Sequence, residues 1–404
     1  MSAFNLINKL YFERVTGSKQ EHEAAQIIKN ECEKLGINAS IESIDFESYQ
    51  MKKAELKLGE QSIHCVGVGM AGSTNGEIEK EFVYVASEEE ANMYDVENKI
   101  CLIHGKFVNR KMYKILADKK VAGIILCTGS VYENSDEVDL NPYIPESCRE
   151  YASIPIVCIS MIDAEKLVNK NPKTVTMNVD QERVNKVTNN VVAEIKGKSE
   201  EQIVFTAHLD TVKFSKGAYD NASGCASIMN VLQHFSKCKP EKTLKFVWCG
   251  CEEFSMAGSK HYVASHKEDM DKTKLCVNID MAGLALGYDK AIVTANNELA
   301  DYIKGISEQE KFPITMKVGV YGSDSTSFAK KGVPAVSFGR FALAGGAVFH
   351  NRHDVIERLS EEKFNNTCNF VIKFVESIMK DEKMLNEPYI SEEMRKNIEE
   401  YASF

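Results

Sequence analysis

The chain has 404 residues, of which 44% are hydrophobic, and it carries a formal net charge of −10. This length favours two compact domains, and the acidic balance argues against a nucleic-acid partner or an anionic membrane surface. No apolar run is long enough to span a membrane, and the start, MSAFNLINKLYFER, lacks the basic and apolar segments of a signal peptide. We therefore expect a cytoplasmic protein.

The 12 cysteines are scattered through predicted strands and helices without a Cys-x-x-Cys pair. This distribution favours buried, reduced thiols over disulfides. Cys249 and Cys251 are alternative metal ligands, but the carboxylates beside them in sequence favour an oxygen and imidazole site instead.

The N-terminal segment predicts two helices. Leu6, Ile7, Leu10 and Tyr11 form an amphipathic pattern, and a second helix begins at a capping box of Ser18 and Glu21 and ends at Gly36. Strand-like segments follow near 41–46 and 54–58.

Residues 47–189 have their own alternation of short strands and helices, without a cluster of histidines and acids at the predicted strand ends. The predicted strands are 82–86, 99–103, 123–127 and 154–159, and the predicted helices are 111–120 and 162–168. We interpret 47–189 as an inserted, smaller α/β accessory domain. The main domain is then discontinuous and comprises 1–46 and 190–404.

In the main domain, metal-binding residue types follow three predicted strands. Strand 203–207 leads into His208 and Asp210, strand 244–248 leads into Glu252 and Glu253, and strand 275–279 leads into Asp280. Ligands bind at the carboxyl ends of the strands in open α/β sheets. The fold class we predict is α/β, with a mixed, mostly parallel sheet that has helices on both faces.

The remaining segments continue this pattern. Asp220 precedes a helical pattern, 291–295 and 334–338 are predicted strands, and His350 follows a Gly-rich loop. Ser360 is the predicted cap of a helix through Met379. In the tail, apolar residues at helical spacing favour packing on the protein's own domain over a partner; they are Ile390, Met394, Ile398 and Tyr401.

A pair of divalent cations is held by imidazoles and carboxylates, at least one of which bridges the two ions. The available ligands are His208, Asp220, Glu253, Asp280 and His350, with His353 as an alternative to His350. Glu252 remains free to act as a base, and Asp210 is placed to hydrogen-bond the second nitrogen of His208. Taken singly, these residues have structural alternatives. His208 alone would be a buried structural histidine, Asp220 a helix cap, and Glu252 with Glu253 a solvated pair.

The motifs AHLD, GAYDNASG, CGCEEFSMAGS, NIDMAG, GSDSTSF and FHNRHD, in this order, resemble the co-catalytic zinc exopeptidase family of bacterial leucyl aminopeptidases, glutamate carboxypeptidases and transferrin receptors. The resemblance covers residues 190–380 and, less specifically, the two N-terminal helices. Two segments of the insert, VENKICLIHGKF and KKVAGIILC, resemble a protease-associated domain.

The resemblance implies a role for each residue. His208 and Asp280 bind one ion, Glu253 and His350 bind the other, and Asp220 bridges them. Glu252 is the implied general base, and Asp210 is the implied partner of His208. The family has an aspartate four positions after its last histidine, as Asp354 follows His350, which favours His350 over His353. Tyr321 lies near the sequence position at which the family has a tyrosine that stabilises the oxyanion.

The predicted function is therefore a dinuclear metal-dependent exopeptidase, an aminopeptidase that cleaves short peptides through a metal-bridging hydroxide. Zinc is the expected metal, with cobalt or manganese as alternatives. A carboxypeptidase or an N-acyl amino acid deacylase is the alternative activity, and a non-catalytic binding homologue is the remote one. The sequence leaves association into a homo-oligomer open.

Overall fold

The computed structural model describes residues 3–104, 110–139, 143–151, 154–343, 345–346 and 349–402. Its helices are α1 Phe4–Lys9, α2 Lys19–Lys34, α3 Glu88–Met93, α4 Arg110–Asp118, α5 Met161–Lys170, α6 Ser223–Phe235, α7 Glu252–Ser255, α8 Ala257–Ser265, α9 Lys267–Lys272, α10 Asn297–Gln309, α11 Ser325–Lys330, α12 Glu361–Ile378, α13 Glu382–Asn386 and α14 Glu392–Ala402. Within the described ranges, no helix has both the length and the apolar composition needed to cross a bilayer.

The strands are β1 Ala39–Leu58, β2 Gln61–Ile63, β3 Val66–Gly67, β4 Ile78–Val85, β5 Ile100–His104, β6 Gly123–Thr128, β7 Ile156–Ser160, β8 Thr174–Ile195, β9 Ser199–His208, β10 Lys242–Cys249, β11 Thr273–Ile279, β12 Tyr288–Thr294, β13 Ile314–Val318 and β14 Ala335–Phe341. Two compact units contain these elements. Unit 1 is Met1–Asp45 with Val187–Ser403, and unit 2 includes Phe46–Lys186. The sequence predicts the boundaries at 46 and 190.

Unit 1 has a mixed sheet in the order β13-β12-β14-β11-β9-β10-β8. The neighbours are parallel except where β12 meets β14 and where β10 meets β8. The predicted class, a mostly parallel sheet in an α/β fold, is confirmed. Because β9, β10 and β11 are parallel neighbours, their carboxyl ends lie at the same edge.

Strand alternation explains why helices pack on both faces of this sheet. In β9, Phe205 points into a core shared with α1, α2, α6 and α12. The preceding residue, Val204, packs with Tyr262 and Phe328 on the other face. Strands covered on both faces are apolar throughout, and residues 203–207 of β9 are all buried.

The N-terminus of α2 differs in one detail from the predicted capping box. Ser18 Oγ accepts a hydrogen bond from the Glu21 N–H at 3.1 Å, as expected for a cap. The Glu21 carboxylate instead accepts from the Gly17 N–H at 2.6 Å, one residue before the cap. Glu21 is fully buried, so this side chain links α2 to the interior of unit 1.

Unit 2 has a sheet in which β4, β5, β6 and β7 are parallel neighbours, with β3 antiparallel to β7. Its apolar core contains Leu102, Ile125, Val157 and Leu167, from strands and a helix of the predicted alternation. The prediction of two strands near 41–46 and 54–58 was wrong, because β1 is a single strand over Ala39–Leu58. The polar residues between its ends hid its continuity.

Candidate metal centre

The predicted site residues come together at the carboxyl edge of the sheet in unit 1. His208 is the last residue of β9, Asp280 follows β11, and Glu252 and Glu253 begin α7 after β10. Cys251, in the left-handed conformation at φ +59°, turns the chain from β10 into α7. Three adjacent strands thus position four of the side chains.

Asp220 lies between two histidines. Its Oδ1 is 3.0 Å from His208 Nε2, and its Oδ2 is 2.9 Å from His350 Nε2. Asp280 Oδ1 is 3.4 Å from His208 Nε2, and Glu253 Oε2 is 3.0 Å from His350 Nε2. Within each group of three residues, the potential ligand atoms lie within 4.8 Å of one another. The five residues therefore form two groups that share one carboxylate, which is the arrangement the resemblance implies.

The loop that carries Asp220 is held by side chains on both sides of it. Asp354 accepts hydrogen bonds from the Tyr219 and Asp220 N–H groups at 2.7 and 3.0 Å. Asn221 donates to the Ile279 carbonyl and accepts from the Met281 N–H, and so connects this loop to the chain around Asp280. Asp220 has non-helical φ and ψ, and α6 has no side-chain cap. The alternative of Asp220 as a helix cap is therefore wrong.

Asp210 supports the site differently from the prediction. His208 Nδ1 is 3.2 Å from the backbone oxygen of Asp210 and 3.7 Å from its carboxylate, so the backbone oxygen is the closer partner. The carboxylate accepts from the Glu252 and Glu253 N–H groups at 3.1 and 3.2 Å, and from the Thr16 hydroxyl at 2.6 Å. Asp210 therefore fixes the first turn of α7 as well as the ring of His208.

Glu252 belongs to neither group of three, although it lines the same cleft. Burial raises the pKa of its carboxyl well above the usual range, and Glu253, Asp280 and Asp324 add to this rise. Burial alone would lower the pKa of His208, but the surrounding acids raise it well above its ordinary value. Likewise, burial opposes ionisation of Asp220, yet the two histidines lower its pKa. The charges in this cleft are strongly interdependent.

The donor set fits two divalent cations. Two buried carboxylate oxygens, Glu253 Oε1 and Asp280 Oδ1, have no hydrogen-bond partner among the residues that the structure describes. An unsatisfied buried acceptor is costly, and a cation held by each group would satisfy the oxygen of that group. Mixed imidazole and carboxylate ligands suit zinc, and they also accept cobalt or manganese.

Among the described residues, the alternative ligands lie outside these groups. His353 is not part of either, and its backbone N–H donates to Asn351 Oδ1. Cys249 and Cys251 are also absent from both groups, and burial raises the pKa of each thiol above its ordinary value, which disfavours the thiolate that metals bind.

Tyr321 does line the cleft, and burial, with Asp280 and Asp220, raises its pKa well above the usual value. Its role in stabilising an oxyanion stays a prediction.

Sequence reasoning missed Arg14, which is fully buried. Its guanidinium donates to five backbone carbonyls, those of Leu10, Phe12, Leu209, Lys216 and Gly217. Three of these carbonyls, those of Leu209, Lys216 and Gly217, lie in the segment that leads from His208 to Asp220. No local sequence pattern predicts a buried arginine whose carbonyl partners are distant in sequence. The residues that follow it, Val15, Thr16 and Gly17, suggest only a turn.

Two clusters of imidazole and carboxylate side chains lie at the edge of a mostly parallel sheet. They define the protein as an α/β protein with a site suited to two metal ions. Residues 190–375 match the model of Peptidase family M28.

Curated relatives and solved structures agree with this placement. The chain is 27% identical over 267 residues to aminopeptidase YwaD of Bacillus subtilis, an alignment that covers 63% of this chain and 57% of that protein. It is 30% identical over 197 residues to leucine aminopeptidase 2 of Arthroderma otae, which covers 45% of this chain and 40% of that protein. The chain thus spans about half the length of these curated relatives.

The fold resembles that of BSAP, a zinc aminopeptidase from Bacillus subtilis, with a TM-score of 0.80 at 20% identity over 97% of this chain and 98% of that one. This likeness concerns the fold. It extends beyond the region matched by the family model to nearly the whole chain.

Proposed function

We propose that this protein is a metallo-aminopeptidase, which uses two divalent ions, zinc by preference, to release N-terminal residues from short peptides. The observation that carries the proposal is the shared carboxylate: Asp220 lies within 3.0 Å of both His208 and His350. The names of the curated relatives support an aminopeptidase over a carboxypeptidase or a deacylase.

His208, Asp220 and Asp280 would hold one ion, and Asp220, Glu253 and His350 the other. Two such ions, when bound, acidify water and polarise a peptide carbonyl. Glu252, which is outside both groups, accepts the proton of the attacking water and returns it to the leaving amine. Its raised pKa suits both directions of this transfer. Asp210, through its bonds to the Glu252 and Glu253 N–H groups, holds both carboxylates in position.

The substitution Glu252→Gln tests the central role of this residue. Removal of the proton carrier should lower kcat on leucyl arylamides by about 10²- to 10⁴-fold, while the protein still binds two equivalents of zinc. The control is Glu298→Gln, an exposed glutamate of α10, which should keep wild-type activity. Wild-type turnover by Glu252→Gln would contradict the assignment.

A pair of substrates tests the class of reaction. Leucyl peptides with a free amine should be hydrolysed, and the same peptides with an acetylated amine should not. Preferential cleavage of the acetylated forms would support the deacylase or carboxypeptidase alternative. Hydrolysis of neither form by the zinc-loaded protein would support the non-catalytic alternative.

We further propose that unit 2 is a protease-associated-like domain and that the protein acts in the cytoplasm. The first rests on the motifs VENKICLIHGKF and KKVAGIILC, of which residues 105–107 lie outside the described ranges. The second is supported by the twelve cysteines, each a free thiol in the structure. Fractionation of the producing cells, with detection of the protein in each fraction, tests the location.

A further inference from the structure

The last helix, α14, lies beyond the matched region 190–375 and packs on other elements of unit 1. Ile390, Met394 and Ile398 are buried in the apolar cluster that also contains Val204 and Phe328. The tail therefore packs on its own domain, as predicted. Because these residues recur at helical spacing, they fix the rotation of α14 and thereby the direction of its last turn.

That last turn brings Tyr401 to the cleft of the metal centre. The cleft has a volume of about 570 Å³, and Tyr401 lines it together with Glu252, Tyr321 and Gly322. A methyl group on Gly322 would overlap the hydroxyl of Tyr401, so only glycine permits this close approach. Tyr401 is still 44% exposed, which leaves the ring accessible to a ligand in the cleft.

Tyr401 lies nearer the solvent-exposed side of the cleft than Tyr321, because Tyr401 is exposed and Tyr321 is only partly exposed. Burial raises its pKa, and the acid that adds to this effect is Glu252. The pKa of Tyr321 is raised by burial and then by Asp280, Asp220 and Glu252, which include two metal-binding acids. Both tyrosines line the cleft that contains Glu252, so Tyr401 is placed to contact a substrate group that lies outside the metal ligands.

In the proposed function, Glu252 hands its proton to the leaving amine, so the residue that follows the scissile bond emerges on the Glu252 side. We propose that the Tyr401 hydroxyl donates a hydrogen bond to the backbone carbonyl of that residue, which makes Tyr401 a specificity residue for peptides over substrates without a second amino acid. This inference rests on the proposed function and extends it to the leaving group.

The test compares two substrates of the zinc-loaded, full-length protein. Leucyl-glycyl-glycine has a carbonyl after the scissile bond, and leucyl p-nitroanilide has an aryl group there. Tyr401→Phe should lower kcat/KM for the tripeptide by about 5- to 10-fold, the expected effect of one hydrogen bond, and change that for the anilide less than about twofold. Tyr401→Ala should lower the tripeptide value at least as much. The matched control is Tyr389→Phe, a change at an exposed tyrosine of the same C-terminal segment, which should alter neither value.

Equal losses on both substrates, or no loss on either, would overturn the role of Tyr401 while leaving the proposed function intact. If the wild-type protein hydrolyses neither substrate, the proposed function itself fails, and the inference fails with it. Unchanged zinc content and melting temperature in Tyr401→Phe separate a lost contact from a damaged fold.

Discussion

Units 1 and 2 both contain parallel strands followed by helices, but their strand ends carry different side chains. In unit 1, β9 ends at His208, and acids follow β10 and β11. In unit 2, Ser87 follows β4 and Ser160 ends β7, and each hydroxyl caps the next helix. The described part of unit 2 contains no group of three potential metal ligands. Parallel strands provide a shared edge, and the residues placed there decide whether it binds a ligand or only starts a helix.

The two units also differ in how they hold charge. Unit 2 has ion pairs such as Lys52–Glu182, in which both side chains are about half exposed. Such pairs contribute little to stability. Asp220 and Asp280 of the metal centre are buried, and burial of a charge is costly unless it is paired or binds a metal. The strand edge of unit 1 should therefore be much more sensitive to substitution than that of unit 2.

The largest effect is expected at the shared carboxylate. Asp220→Asn leaves one side-chain oxygen, whereas Asp220 uses one carboxylate oxygen toward His208 and the other toward His350. Zinc binding should therefore fall from two equivalents to at most one. Loss of an ion that contributes several kcal/mol to catalysis should lower kcat/KM by about 10³-fold or more. Zinc titration of the metal-free protein, followed by assay on leucyl p-nitroanilide, measures both quantities.

The matched control is Asp289→Asn, because Asp289 is another buried acid of unit 1 but is bonded to Arg340 and Thr367. It should lower the melting temperature and keep two equivalents of zinc. Two equivalents in Asp220→Asn would show that Asp220 does not bridge.

A large effect on stability is expected at Arg14. Arg14→Met removes the donors to five carbonyls and leaves buried acceptors unsatisfied, so the free energy of unfolding should fall by about 3–5 kcal/mol. Arg14→Lys keeps the charge but not the planar fork, and it should recover only part of this loss. Urea denaturation of the metal-free proteins measures the change.

Unit 2 supplies the comparison for this substitution. Arg183 is about half exposed and pairs with Glu47, so Arg183→Met should change stability by less than about 1 kcal/mol. Similar losses at Arg14 and Arg183 would refute the special role of the buried arginine.

The strands that lead to the proposed ligands of unit 1 were predictable, because their signals are local. An apolar run followed by His208 predicted the end of β9, and Ser360 predicted the start of α12, where its hydroxyl accepts from the Lys363 N–H. Motif order then suggested which histidine and which acids belong together. The structure brings those residues into two groups, and their roles in binding metal stay predictions.

What sequence could not predict depends on contacts between distant segments. Arg14 looks like a surface charge until the fold places the Leu209 carbonyl 2.7 Å from its Nε. The strand β13 was missed because it is an edge strand with a weak apolar pattern. Tyr401 continued an apolar stripe, and only the packing of α14 directs it to the cleft.

A pH-dependent effect is expected at Glu21. Burial, followed by the nearby Asp210, raises the pKa of this carboxyl to about 8. In the unfolded chain the group ionises near its usual pKa, so between about pH 5 and 8 the folded state holds a proton that the unfolded state has lost. Stability should therefore fall as the pH rises through this window. Glu21→Gln should flatten this slope, as measured by urea denaturation at pH 5, 6, 7 and 8.

The absolute stability of Glu21→Gln at pH 5 should be within about 1 kcal/mol of the wild type, because the protonated carboxyl and the amide each offer one acceptor for the Gly17 N–H and one donor for the Thr188 hydroxyl. Glu89→Gln, a change at a solvent-exposed acid of unit 2, should keep the wild-type slope. A slope that is the same in Glu21→Gln and the wild type would assign the pH dependence to other groups.

The smallest effect is expected at a strand end of unit 2. Ser160→Ala removes the hydroxyl that accepts from the Asp163 N–H at 3.1 Å, and loss of such a cap costs about 1 kcal/mol. Because Ser160 only starts α5, kcat/KM should stay within about twofold of the wild type, whereas Asp220→Asn at the equivalent edge of unit 1 abolishes most activity. Thermal unfolding and the leucyl p-nitroanilide assay measure the two quantities on the same sample. A loss of activity in Ser160→Ala, without loss of unit 2's fold, would mean that the strand edge of unit 2 also has a direct part in catalysis.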